Sequence, residues 1–221
     1  MEKTRQIFID LDDYRFIPES RQVLEVLYKV RSAYPIKVTL MTTPLYSEGN
    51  RRDTYPFNPD FSTDWIEYGV HGYEHKRHEF IDNKENCKIK FNKALTLLKD
   101  QKIPYKNIWR TPRWETSKEI IEVIEETNQK WIILEHYNRN HHLFFNKRFN
   151  NLKFFTYNWS IEKEIDTRLK YVFGHGHCFS NLISRYYCTN DIECGWRNII
   201  KNLDVLDRKY DLEFKFISDL L

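Results

Sequence analysis

No Cys-x-x-Cys pair occurs among Cys87, Cys178, Cys188 and Cys194, and four cysteines in 221 residues are too sparse for a disulfide framework. The thiols therefore read as reduced, with a small loop closed by Cys188 and Cys194 as the alternative. No run of 18 apolar residues is present, which excludes a transmembrane helix from the expectations. The N-terminus enters a strand pattern by Ile7 without the charged, apolar, small order of a signal peptide, so a cytoplasmic location is expected. Charge of one sign is lacking too: 35 basic against 32 acidic residues leave +3, too little to recruit nucleic acid or a membrane surface. Internal repeats, linkers and low-complexity blocks are absent, and one domain spanning residues 1–221 is expected. What remains is apolar and aromatic: 41% hydrophobic and 16% aromatic residues supply a sizeable core and leave some of the 6 Trp and 14 Tyr for the surface, where aromatic faces suit sugars.

Strand and helix patterns alternate along the chain. Gln6 to Leu11 is a short apolar run of the kind buried in a parallel sheet, ending at Asp12-Asp13. Val23, Leu27 and Val30 recur at helical spacing until Pro35, before a second strand from Ile36 to Met41. The segment from Thr42 to Phe61 is too long for a mere connection and is expected to border a binding site. Further strands are read at Trp65–Val70, Asn107–Trp109, Trp131–Leu134, Lys153–Trp159 and Tyr171–Phe173, and helices at about 83–102, after Thr116 with Glu119 as a capping box, and through Ile199, Leu203, Leu206 and Tyr210. The alternation predicts an α/β fold, a distorted or incomplete (β/α) barrel of about seven parallel strands.

Polar residues gather where such folds keep their chemistry. Asp12-Asp13, His71/His75, Arg110, Glu135-His136 and His175/His177 each follow the carboxyl end of an expected strand. Were the chain to turn helical at His71, His71 and His75 would share one face a turn apart and aim both rings at one divalent cation, with a carboxylate from another strand as third ligand. Each signal has a plainer alternative. The aspartates suit a helix cap, Arg110 a surface ion pair, and His71 and His75 an exposed basic segment. Gly174 and Gly176 flank His175 and let the backbone pass close to something. Their joint placement on successive strand ends outweighs the alternatives taken singly.

In this order the motifs resemble the NodB-homology polysaccharide deacetylases over nearly the whole chain. The resemblance implies that Asp12 is the catalytic base, Asp13, His71 and His75 the metal ligands, Arg110 of Arg110-Thr111-Pro112 the residue that orients the base, and His175 the general acid. The family's aspartate and tryptophan near the fifth strand have no clean match between Trp131 and His136. The implied activity is hydrolysis of an acetyl group from an N-acetylated sugar or glycan, assisted by one divalent ion, zinc first, with cobalt or nickel as alternatives. Tyr73, Trp114 and Trp159 are candidates for sugar stacking, Arg113 for an oxyanion-binding amide, and His177 for substrate binding. Three rival readings stand beside this one. Asp10 and Asp12 also suit a haloacid-dehalogenase-like phosphatase with Thr42 or Thr43 on phosphate; His71 to His75 spells a metalloprotease His-x-x-Glu-His with Glu74 as base; and an inert carbohydrate-binding relative would carry the same residues.

Overall fold

The computed structural model describes residues 4–16, 20–45, 64–136, 149–178, 182 and 195–221. Strand β1 (Thr4–Tyr14) leads into helix α1 (Ser20–Ala33), β2 (Val38–Thr42) and β3 (Ile66–Val70). Helix α2 (Lys84–Asp100), β4 (Tyr105–Trp109), a 3₁₀ turn at Pro112–Trp114, α3 (Lys118–Glu125) and β5 (Trp131–Glu135) follow. The chain continues through β6 (Leu152–Thr156), β7 (Trp159–Ser160), β8 (Tyr171–His177), α4 (Trp196–Asp207), β9 (Asp211–Phe214) and a final 3₁₀ turn at Ile217–Leu220.

All the strands among the described residues belong to one parallel sheet in the order β6-β5-β4-β3-β2-β1-β8-β7, with β9 paired to β1. Since β8 pairs with β1 from Gln6 to Asp12, β9 at Thr4–Ile7 lies on the opposite side of β1, where β2 takes over at Asp10. The sheet curls into a half-barrel, so the expected incomplete barrel is the observed fold. Among the described residues no ladder joins β6 to β7. Aromatic rings span the opening instead: Phe155 of β6 stacks on Phe173 of β8 at 4.6 Å and meets Phe8 of β1 edge-on at 5.3 Å. A doubly wound phosphatase sheet reverses direction about its first strand. Here β1 to β6 follow each other in sequence order, which removes that reading.

Side-chain alternation sorts each strand between two apolar layers. Ile7, Ile9 and Leu11 face the helices with Val172, Ile133 and Trp109, whereas Phe8, Met41, Ile108, Ile132, Leu134 and Phe173 fill the barrel interior, sealed at one end by Ile217 and Leu220. The helices cover the outside with single buried stripes. Val23, Leu27 and Val30 of α1 are fully buried, and so are Phe91, Ala94 and Leu98 of α2. Ile120, Ile121, Val123 and Ile124 bury most of α3, and truncating one of these isoleucines to alanine costs about 2–5 kcal/mol.

Of the boundaries that differ from the sequence reading, two have a definite cause in side-chain hydrogen bonds. The cap of α3 is Ser117, whose hydroxyl accepts the Ile120 amide, while Thr116 is buried one residue earlier. The expected strand Lys153–Trp159 is cut in two, because Asn158 leaves the β6 direction and clamps β8, donating to the Tyr171 carbonyl at 3.0 Å and accepting the Phe173 amide at 2.9 Å. No helix among the described residues is long and apolar enough to cross a membrane. Cys87 and Cys178 are buried free thiols; Cys188, Cys194 and most of the Thr42–Phe61 segment lie outside the described residues.

Candidate active site

Alternation that puts Phe8 inside the barrel also puts Asp10 and Asp12 there, and alternation from Phe173 does the same for His175 and His177. The β1–β8 register aligns Asp10 with His175 and Asp12 with His177, so carboxylates and imidazoles meet in pairs at the carboxyl end of the sheet. Asp13 should then face outward. It does not, because the β1–β2 register breaks between Leu11 and Tyr14 and Asp13 adopts a left-handed φ of 64°, a bulge that re-aims its side chain. This backbone strain is concentrated where the site is built.

His71 and His75 do converge on Asp13, though not on a helix. The segment after β3 is a turn with left-handed φ at Gly72 (67°) and His75 (59°), and it is organised around buried Glu79. That carboxylate accepts the amides of Tyr73 at 2.6 Å, Glu74 at 3.0 Å and Lys76 at 3.2 Å. Helical donors would have been spent inside a helix; the carboxylate takes them here. The rings of His71 and His75 lie 5.0 Å apart, with their Nε2 atoms 3.5 and 2.9 Å from Asp13 Oδ1. Without a helix, the metalloprotease reading of this motif fails.

The donor set of Asp13, His71 and His75 fits a divalent ion. Their ligand atoms all lie within 4.8 Å of one another. Asp13 Oδ1 is buried and accepts no hydrogen bond of proper geometry, although two imidazole nitrogens point at it. His71 Nδ1 lies 3.1 Å from the Arg110 carbonyl, which accepts a hydrogen only, so the ring donates there and presents the Nε2 lone pair to the site. Burial alone would push the Asp13 carboxyl up, yet the imidazoles of His177, His71 and His75 hold it well below the usual carboxylate range. Asp10, Asp12 and His175 form a second group of comparable span, but the Arg110 guanidinium already sits among them and supplies the positive charge.

Arg110, wholly buried at the end of β4, places Nη1 against Asp10 and at 2.5 Å from Asp12 Oδ1. Burial raises the Asp12 carboxyl, but Arg110 first, then His71, His175 and His177, bring it down to about 2. Asp12 Oδ2 faces the site, 3.8 Å from His71 Nε2 and 3.9 Å from His175 Nε2. On the other side of the ring, His175 Nδ1 lies 3.2 Å from Asp10 Oδ1. Thr42 and Thr43, the phosphate binders of the phosphatase reading, spend their hydroxyls on the carbonyls of Leu40 and His71.

The candidate binding residues separate. Trp114 packs on the Arg110 guanidinium at 4.3 Å and touches His175, His136 and Tyr157 at 5.0, 5.6 and 5.6 Å, forming a wall over His175. Arg113 is exposed in the same turn with φ 56°. Tyr73 stands apart from that wall and lines a cleft of about 520 Å³ with Leu45, Arg77, Ile89 and Lys93. Trp159 is a correction: only 3% exposed, it lies on the helix side of β8, bonds the Lys163 carbonyl and packs where a Cβ on Gly174 would sit, at 2.6 Å. It has no face for a sugar. Ile161 fills the corresponding space at Gly176, so the glycines around His175 serve packing rather than a ligand. His177 places Nδ1 3.2 Å from Asp13 Oδ2 while its side chain stays 38% exposed, so it sits beside the cluster with a face open to the site. Glu135 faces the helix side, whereas His136 and Tyr157 join the site. Sequence reasoning passed over Tyr157 and Glu79, although Tyr157 stands at the alternation position after Phe155.

No family model and no curated protein sequence matches the chain. Solved structures do. A putative polysaccharide deacetylase from Mycobacterium smegmatis aligns over 99% of this chain and 89% of its own with TM-score 0.59 and 8% identity. A family 4 acetyl xylan esterase from Clostridium thermocellum, solved with a cobalt ion, aligns over 98% and 90% with TM-score 0.52 and 13% identity. A CE4 family pseudoenzyme from Bacillus anthracis aligns over 100% and 66% with TM-score 0.53 and 8% identity. Such low identity speaks for architecture, and in architecture this chain carries the curled, incomplete parallel barrel of the family 4 carbohydrate esterases and polysaccharide deacetylases.

Proposed function

We propose that the protein is a metal-dependent hydrolase that removes an acetyl group from an N-acetylated sugar or glycan, as a divergent NodB-type deacetylase. The observation that carries this is the convergence of Asp13, His71 and His75 on one point, with Asp12 and His175 on either side of the same end of the barrel. Asp13, His71 and His75 would hold the ion, zinc in the first instance, which supplies Lewis-acid polarisation of the scissile carbonyl and acidifies water.

Around it the chain's own residues divide the work. Asp12, kept ionised by Arg110, presents Oδ2 to take the proton of the attacking water. Arg110 and the Trp114 ring packed on it keep that carboxylate from turning. His175 presents Nε2 toward the departing nitrogen, which leaves poorly as an amide anion and needs a proton. An acid so placed is worth about 10²–10⁴-fold. By the family resemblance, the Arg113 backbone N–H would meet the oxyanion. The wall of Trp114, His136 and Tyr157 excludes water from the His175 side and offers ring faces to a sugar.

Acetate release from N-acetylglucosamine oligomers tests this, using chelator-treated protein with and without added zinc or cobalt. Turnover restored by metal in the wild type and absent in Asp12→Asn supports it; no acetate release at full metal occupancy refutes it in favour of an inert glycan-binding relative, the reading that the likeness to a pseudoenzyme keeps in view.

A further inference from the structure

The hydrogens around Arg110 can be counted, and the count decides the state of His175. A guanidinium carries donors only, two of them on Nη1. Nη1 makes short bonds to Asp10 Oδ2 and Asp12 Oδ1, which use both. His175 Nδ1 lies 3.2 Å from the same Nη1, but no hydrogen is left there for it to accept. Within reach of Nδ1 is Asp10 Oδ1, at 3.2 Å, the carboxylate oxygen that Arg110 does not take. A ring nitrogen against an acceptor and a spent donor must itself be the donor.

We infer that Asp10 is the positioning residue of His175: it locks the neutral ring as the Nδ1–H tautomer and so leaves Nε2 as the atom that carries the mobile proton. The β1–β8 register sets this pairing, since Asp10 and His175 are ladder partners with side chains on the same face. β5 provides no substitute, because Glu135 faces the helix layer, as Ile133 and Trp131 do before it. For the proposed deacetylation, on which only the kinetic arm of the test rests, the imidazolium passes its Nε2 proton to the departing nitrogen as the carbon–nitrogen bond breaks. It returns to the Nδ1–H form with Asp10 unchanged.

The test is long-range ¹H–¹⁵N correlation on ¹⁵N-labelled, zinc-loaded wild type at a pH where the ring is neutral, with His175 assigned by its loss in His175→Gln. The expected spectrum has a protonated Nδ1 and a bare Nε2; an Nε2–H tautomer overturns the inference whatever the enzyme does. Asp10→Asn should mix the tautomers and lower kcat about 10²-fold at unchanged KM and unchanged bound zinc, and Asp10→Glu should recover part of the loss. An Asp10→Asn protein with the wild-type tautomer and kcat also overturns it. If that variant does not fold, the wild-type spectrum still decides. Turnover with an Nε2–H ring would sink the Asp10 assignment and spare the function, while a locked Nδ1–H ring in a protein without turnover would do the reverse.

Discussion

Gly72 is the hinge between the two motifs on which the metal reading depends, and Gly72→Ala tests their coupling. The residue follows His71, holds φ at 67°, and a Cβ built on it would lie 2.4 and 2.6 Å from Cγ and Cδ of Pro112. Left-handed backbone costs a non-glycine residue about 1–2 kcal/mol. The overlap costs about 1–3 kcal/mol more, since the proline ring is stiff and stands two residues after buried Arg110. The sum, about 2–5 kcal/mol, is a large share of the roughly 5–15 kcal/mol that holds a domain folded. Relief by loop movement would instead carry His71 or His75 away from Asp13. Urea denaturation of the metal-free protein combined with zinc titration calorimetry therefore captures the whole cost, as lost stability, weakened affinity or both. Gly69→Ala is the control: its Cβ would press on the flexible Met41 thioether at 2.5 Å, without positive φ, and should cost less. A Gly72→Ala protein within about 0.5 kcal/mol of wild type that binds zinc equally well would refute the reasoning.

Burial raises the Glu135 carboxyl from 4.5 to about 7, and Thr116, Arg110 and the His136 amide offset only part of it. A carboxyl raised on folding favours the fold below its unfolded value and loses that contribution between about pH 4.5 and 7, some 3 kcal/mol in all. Glu135→Gln should thus be more stable than wild type by about that amount at pH 8 and equal to it at pH 4, as read from urea midpoints. His177→Ala frees Asp13 Oδ2 and should weaken zinc binding about 10–100-fold, seen by calorimetry, rather than raise KM selectively. Asp13→Asn should lose the metal; Asp12→Asn should keep it in elemental analysis while acetate release falls by at least about 10²-fold. A series in which Asp12 proves dispensable would reassign the base.

The line of the chain announced much of this site. Short continuous apolar runs separated by helical stripes marked a parallel α/β sheet, and ionisable residues at the ends of those runs marked its functional rim, because apolar patterning is a property of neighbours in sequence. Asp12, Asp13, His71, His75, Arg110 and His175 were legible on those grounds, helped by a family resemblance in their order. Roles that depend on partners far along the chain were not. Whether Trp159 meets a sugar or Gly174 depends on how the chain turns at Asn158, and the meeting of His177 with Asp13 depends on a bulge that strand alternation does not announce. The loop from His71 to His75 took its shape from the Glu79 carboxylate and not from helical propensity. The tautomer of His175 depends on how Arg110, 65 residues away, spends its hydrogens. Pattern along a strand chooses the face of a side chain; its partner on that face is chosen by the register of strands that only the folded sheet brings together.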